Sequence, residues 1–218
     1  MSHSLRILRA VALCAAALFA VSCTQDKLEI INSIVCPVFS FDSASSSADM
    51  HLCAYVQTRT EPGYLKLMQI DSDSTGYRWT VSEFQYIYSM NGKWAGSSSI
   101  YMPRRVPFPE GRLKLTAVNA DSQTVEKTYN ISYPKNLLTI DYNAFLRSED
   151  YQKVAQQYIV FYNAEGAIIN CRLMNNANGN ATEEAVPEAV TSRTLSVAKD
   201  RSFAVLSPPV ALAVKSQK

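Results

Sequence analysis

Apolar and polar residues alternate along this chain in short runs, and turn residues separate the runs. A period of two is the signature of a strand with one buried face. Over residues 50–57, Met50, Leu52, Ala54 and Val56 share one face, and His51, Cys53, Tyr55 and Gln57 share the other. Residues 30–41 are apolar and β-branched but broken by Pro37, which predicts an edge strand or a bulge. Glu61-Pro62-Gly63 is a turn, residues 64–70 alternate again, and residues 71–76 are an Asp/Ser turn. Phe84, Tyr86, Tyr88 and Met90 form one strand face, and Asn91-Gly92 then predicts a type I′ hairpin returning through residues 93–101. Pro103, Pro107 and Pro109 make residues 102–109 an extended loop. Leu113, Leu115 and Ala117 oppose Arg112, Lys114 and Thr116, and Val125, Tyr129, Ile131 and Tyr133 supply a partner face.

After Pro134 the pattern changes. Ser148, followed by Glu149 and Asp150, predicts a capped helix start. Tyr151, Val154, Ala155 and Tyr158 fall on one helical face. Residues 158–162 and 167–174 flank Asn163-Ala164-Glu165-Gly166 as a hairpin. Residues 175–187 are polar, 190–197 and 202–206 predict two more strands, and 207–218 read as a loose tail. The chain is therefore expected to be mainly β: a β-sandwich over residues 30–134, then a small α+β hairpin extension over 135–206.

Residues 5–23 depart from this alternation. Arg6 and Arg9 precede an uncharged run from Val11 to Val21, too short for a bilayer, which needs about 20 apolar residues. The run has the form of a secretory signal and ends in Ala20-Val21-Ser22-Cys23, where the composition turns polar. These residues resemble the lipobox of bacterial lipoproteins, with small Ser22 before the cysteine and Ala20 where leucine is commoner. The resemblance implies a signal peptide over residues 1–22, a lipid (palmitate among its acyl chains) on Cys23, and a tether over 23–29. Several acyl chains, at about 0.8 kcal/mol per buried methylene, hold a protein firmly on a membrane. Because Thr24 is not the aspartate that retains enteric lipoproteins at the inner membrane, the same resemblance implies an outer-membrane lipoprotein, facing the periplasm or the exterior.

Removing residues 1–22 takes away Arg6 and Arg9 and no acid. The 21 basic residues become 19, against 19 acidic ones. A balanced chain offers no basic field for nucleic acid. Cys14 leaves with the signal and Cys23 takes lipid, so Cys36, Cys53 and Cys171 remain. Cys36 and Cys53 are the candidate disulfide, worth roughly 3 kcal/mol if formed; the competing reading is three buried thiols.

Phe108-Pro109-Glu110-Gly111-Arg112-Leu113, followed by Ala120-Asp121-Ser122, resembles the last two strands of immunoglobulin-like domains in bacterial envelope proteins. There a Pro-x-Gly turn opens the penultimate strand and an Asp-containing turn joins it to the last. Leu113 stands where tyrosine is usual and Ser122 where glycine is. The resemblance implies an immunoglobulin-like sandwich.

Catalytic and metal signatures are sparse. Past the signal, His51 is the one histidine, set mid-strand without a patterned partner. No His-Glu-x-x-His or Cys-x-x-Cys occurs, and the glycines stand singly, mostly at turns. Neither a metal nor a cofactor is expected. Two functions remain. The first is a non-enzymatic interaction or structural module, tethered to a membrane and contacting another envelope protein. The second is a glycan or small-ligand binder using the aromatic segment 77–101, with Trp79, Tyr86, Tyr88, Trp94 and Tyr101 as candidate contacts. Against the second stands the tendency of strand aromatics to fill cores.

Overall fold

A computed structural model describes residues 27–59, 61–89, 92–174 and 186–212. The side chains of Pro62, Tyr88, Ser89 and Arg105 lie outside the description, as do the expected signal, Cys23 and the Asn91 position of the hairpin turn.

The first eight strands are β1 (Ile30–Ser40), β2 (Asp49–Thr58), β3 (Leu65–Ser72), β4 (Arg78–Val81), β5 (Gln85–Ser89), β6 (Gly92–Ile100), β7 (Gly111–Asn119) and β8 (Thr124–Ile131). They form two layers, in the orders β5-β6-β2-β1 and β4-β3-β7-β8. Lettered A to G with an added C′, these are D-E-B-A against C′-C-F-G, the immunoglobulin arrangement. The alternating faces meet between the layers. Phe39, Leu52, Ala54 and Val56 from one sheet and Met68, Ile70, Leu113, Leu115 and Ala117 from the other join one core, each at 0–1% exposure. Each large side chain buried this way contributes about 1.5–3 kcal/mol.

The segment that resembles immunoglobulin-like domains falls on β7 and β8, the last two strands of the sandwich. Gly111 opens β7 at φ +115°, and Ser122 holds the left-handed conformation at φ +62° in the turn that follows. Asn119 fastens that turn, its Oδ1 accepting the Gln123 N–H at 2.9 Å. At the start of the described chain, Leu28 N–H donates to Gln123 Oε1 at 2.8 Å and draws the entering segment onto the same turn.

The remaining elements are α1 (Tyr142–Leu146), α2 (Glu149–Gln152), β9 (Val154–Tyr162), β10 (Ile168–Leu173), β11 (Thr191–Ala198), β12 (Ala204–Leu206) and β13 (Val210–Ala211). Asp141 caps α1 by accepting Ala144 N–H at 2.7 Å, and Ser148 caps α2 by accepting Tyr151 N–H at 3.3 Å. The helical spacing of Tyr151, Val154, Ala155 and Tyr158 is not used. The helix ends at Gln152, and Val154 pairs with Ala198 as β9 begins. A full ladder with β11 satisfies more backbone groups there than another turn of a short helix.

This second part extends the first sheet. β12 lies parallel to β1 at Val38, Phe39 and Ser40, and β11, β9 and β10 follow outward to make a run of eight strands, nine with β13. β13 pairs with β11 and carries the sheet into the stretch expected as a loose tail. Arg193 clamps the joint: its Nε donates to Ser207 O at 2.6 Å and its Nη2 to Phe41 O at 2.8 Å, where β12 and β1 end.

The sheet is curled. On a flat sheet β2 and β9 are four spacings apart, about 19 Å. Yet Tyr162 of β9 lies close enough to Tyr55 of β2 to act on its hydroxyl, as the least of the influences there; burial and then Cys53 are the larger causes that push it up. The curl gives the outer face of the sandwich sheet a core of its own, with Cys36, Val38, Ala204 and Leu206 buried and Ile34, Cys53, Leu195 and Val197 packed against them. Strand β2 is consequently covered on both faces, His51 and Tyr55 included.

Candidate ligand cleft

Strand β4 is an edge strand of the C′-C-F-G layer. Its Trp79 pairs across to fully buried Ile70, which directs the indole toward the sandwich margin. There Trp79 packs 5.1 Å from the Phe108 ring and donates its Nε1–H to Tyr101 O at 3.2 Å, joining the two layers. After Val81 the chain crosses to the other sheet and enters β5. The crossing leaves a cleft of about 350 Å3 between β4 and the end of β6, lined by Trp79, Val81, Glu83, Ser97, Ser99 and Tyr101 among others. The size is at the small end of the range for small-molecule sites. Hydroxyls and the exposed Glu83 carboxylate supply polar contacts beside an aromatic wall.

The five aromatic candidates do not converge. Trp79 and Tyr101 line the cleft. The indole is already engaged: Tyr77 stacks on it at 5.8 Å with 25° between planes, and Phe108 holds another side. The Tyr101 ring meets His51 at 5.4 Å. Tyr86 stands opposite Ala95, is 44% exposed and has Phe84 as its ring neighbour at 6.5 Å. Trp94 stands opposite Ile87. By the pleat it shares the outer face with Gly96 and Tyr55, the other side of the sheet from Tyr86. Tyr88 pairs with Lys93 along the backbone, but its side chain lies outside the described residues.

On the outer face, Gln85 links three strands. Its Oε1 accepts the Tyr55 hydroxyl at 2.6 Å, Ser98 N–H at 3.1 Å and Ser98 Oγ–H at 2.8 Å. Tyr55 stands directly opposite Gly96, where any Cβ would sit 2.0 Å from Ala54 O.

Cys36 and Cys53 are direct cross-strand partners, and both are free thiols. The Phe41 N–H points to β12, since it donates to Leu206 O. Alternation then turns the backbone groups of Cys36 toward β2, making Cys36 and Cys53 a hydrogen-bonded pair. Cβ atoms at such a site stand about 5.5 Å apart, wider than the roughly 3.8 Å of a disulfide. Burial pushes the Cys53 thiol up to about 12. Burial, and then the neighbouring Cys53, push Cys36 well above the ordinary thiol range. Cys171 is exposed on β10.

Among the described residues no group of His, Cys, Asp and Glu is placed to hold a metal ion, and no helix is long and apolar enough to cross a membrane. Comparison with protein-family models, curated proteins and solved structures gives no match.

Two structural sites escaped the sequence reading. One is the Arg193 clamp, whose signal was a lone charge in the middle of residues 191–198. The other is buried Asp150, which accepts Asn136 Nδ2–H and Lys153 Nζ–H, each at 2.7 Å. The Lys153 contact has helical spacing and was legible; Asn136 had no sequence signal.

Proposed function

We propose that this chain is a lipid-tethered cell-envelope protein of the outer membrane, acting as a non-enzymatic interaction module. One observation carries the reading: the uncharged run ending in Ser22-Cys23 stops seven residues before Ile30, where the sandwich begins. A thiol acylated at Cys23 would hold the sheets within a short, polar tether of the membrane. An immunoglobulin-type sandwich suits that role, because its strand edges and loops are free to meet a partner. In cells grown with labelled palmitate, the wild-type chain incorporates label and enters the detergent phase, whereas Cys23→Ala does neither. A Cys23→Ala chain that kept both properties would overturn the anchor.

A second reading rests on the cleft: a glycan or small ligand contacting Trp79 and Tyr101. Titration with N-acetylglucosamine oligomers should change tryptophan emission in the wild type and in Trp94→Phe, and should leave Trp79→Phe silent. An unchanged wild-type spectrum removes this reading.

A further inference from the structure

The described chain begins at one end of the sandwich and is fastened there. Leu28 is 4% exposed in the common core, and Gln123 of the β7–β8 turn accepts its N–H. Beside it, Arg59 N–H donates to Glu29 O at 3.0 Å, and Ile30 pairs with Thr58 where β2 closes. Ala120 N–H donates to Tyr64 O at 2.9 Å, which brings the β2–β3 connection onto the same turn. The start of β6 lies alongside, since Lys93 pairs with Glu61 at 2.9 Å. Segments distant in sequence thus make one end surface. The opposite end carries the turn over residues 71–76, the loop over 102–109 and the cleft.

The length of the tether decides which end can meet a bilayer. Cys23 lies five residue spacings before Leu28, a reach of at most about 18 Å even when fully extended. The eleven-residue strand β1 alone runs about 36 Å from this end to the other. A lipid on Cys23 therefore keeps the Leu28 end beside the headgroups, because the tether is too short to turn the sandwich over.

What this end presents suits a lipid surface. Tyr64 is 62% exposed, and Ile31, one residue into β1, is 50% exposed. A phenol ring with a polar tip is favoured at headgroup depth. Nearby charges come as ion pairs, Arg59 with Glu29 and Lys93 with Glu61, so these residues set up no field of one sign. We propose that this end of the sandwich, with Tyr64 in contact, lies against the lipid headgroup layer and holds the cleft end away from the bilayer. The inference deepens the tethered reading, on which it rests, by naming the lipid-facing surface.

The test uses the processed chain, residues 23–218, with Cys171→Ser and a maleimide-headed lipid joined to Cys23. The chain is seated on phosphatidylcholine nanodiscs doped with headgroup spin-labelled lipid, and amide NMR signals are followed. Signals of Leu28, Tyr64, Ala120 and Lys93 should broaden severalfold more than those of Ser74, Gly76 and Tyr101, at high salt as at low. Tyr64→Ser, a change at an exposed side chain, should lower the broadening at Ala120 and Lys93 severalfold, whereas Tyr64→Phe keeps it. Uniform broadening, stronger broadening at Gly76 or Tyr101, or a folded Tyr64→Ser chain that behaves as wild type overturns the assignment. Should Tyr64→Ser not fold, the gradient between the two ends in the parent chain decides alone. Because the lipid is joined chemically, the result does not depend on acylation in cells. A wild-type chain that took up no labelled palmitate would sink the anchor, and the nanodisc experiment would still judge this surface.

Discussion

In the sandwich, Leu52, Met68, Ile70, Leu115 and Ala117 have no exposure at all, because each strand face meets a second sheet. Across β9, β10 and β11 the same alternation produces mostly half-buried positions, with Val160, Ser196 and Ala198 the buried ones. The two regions share one continuous sheet, so hydrogen bonding does not separate them. The presence of a second layer does, since apolar area leaves water only where something covers it. The sandwich core is nonetheless shared with the chain beyond it, because Leu137, Phe145, Ala198, Phe203 and Val205 join the same cluster. The C-terminal wing depends on the short β12 seam, the Arg193 clamp and the curl that lays it against the sandwich's outer face.

Damage to the shared core should consequently reach both regions, and damage at the outer strands of the wing should stay mainly there. The largest effect is expected from Leu115→Ala, about 3–4 kcal/mol for a fully buried leucine. Urea unfolding should show wing and sandwich losing structure together; a wing that stayed folded would break the asymmetry. Next comes Arg193→Met, which removes two charge-assisted bonds at the seam and costs about 2 kcal/mol. Hydrogen exchange should quicken in β9 and β11 and stay unchanged in β3 and β7. Equal quickening in β7 would show that the wing supports the sandwich as well.

A smaller effect belongs to Asp150, where the chain passes from one region to the other. Burial alone would raise its pKa, but the bonds from Lys153 and Asn136 outweigh burial and hold it below the ordinary carboxylate range. A depressed folded pKa contributes stability that is full above the unfolded value, about 3.9, and is lost as pH falls through the folded one. Asp150→Asn should therefore cost about 1–2 kcal/mol at pH 7, with the gap to wild type closing in strong acid. A gap independent of pH would assign the loss to packing. The smallest effect is at the thiols. Iodoacetamide at pH 8 should modify exposed Cys171 first and leave Cys36 and Cys53 intact until the chain unfolds. Cys171→Ser should shift stability by under about 0.5 kcal/mol.

Much of the strand content was legible residue by residue. The alternation of residues 50–57 lies within β2, that of Leu113, Leu115 and Ala117 lies on β7, and the Pro-x-Gly segment opens β7 with Gly111 at positive φ. Pro37 predicts an edge strand or a bulge, and β1 has a second paired strand among the described residues only at its last three residues. The cleft was legible only in part. Trp79 and Tyr101 share it because the chain crosses between sheets after Val81, whereas Trp94, in the return strand β6, lies on the outer face. Proximity in sequence placed these aromatics in one segment, but strand parity and the crossing divided them. Helical spacing over residues 151–158 was equally visible and lost to the β9 ladder.

By itself the sequence determined where chain segments extend, where they turn and which side chains share a face, because steric limits and side-chain period act over a few residues. Only the tertiary structure decided which strands became neighbours: that β12 lies parallel to β1, that the sheet curls until Tyr162 approaches Tyr55, and that Cys36 faces Cys53 at a hydrogen-bonded site. Backbone donors and acceptors are the same in every residue except proline. Pairing is therefore chosen by the burial it permits across the whole molecule, and no local pattern records that choice.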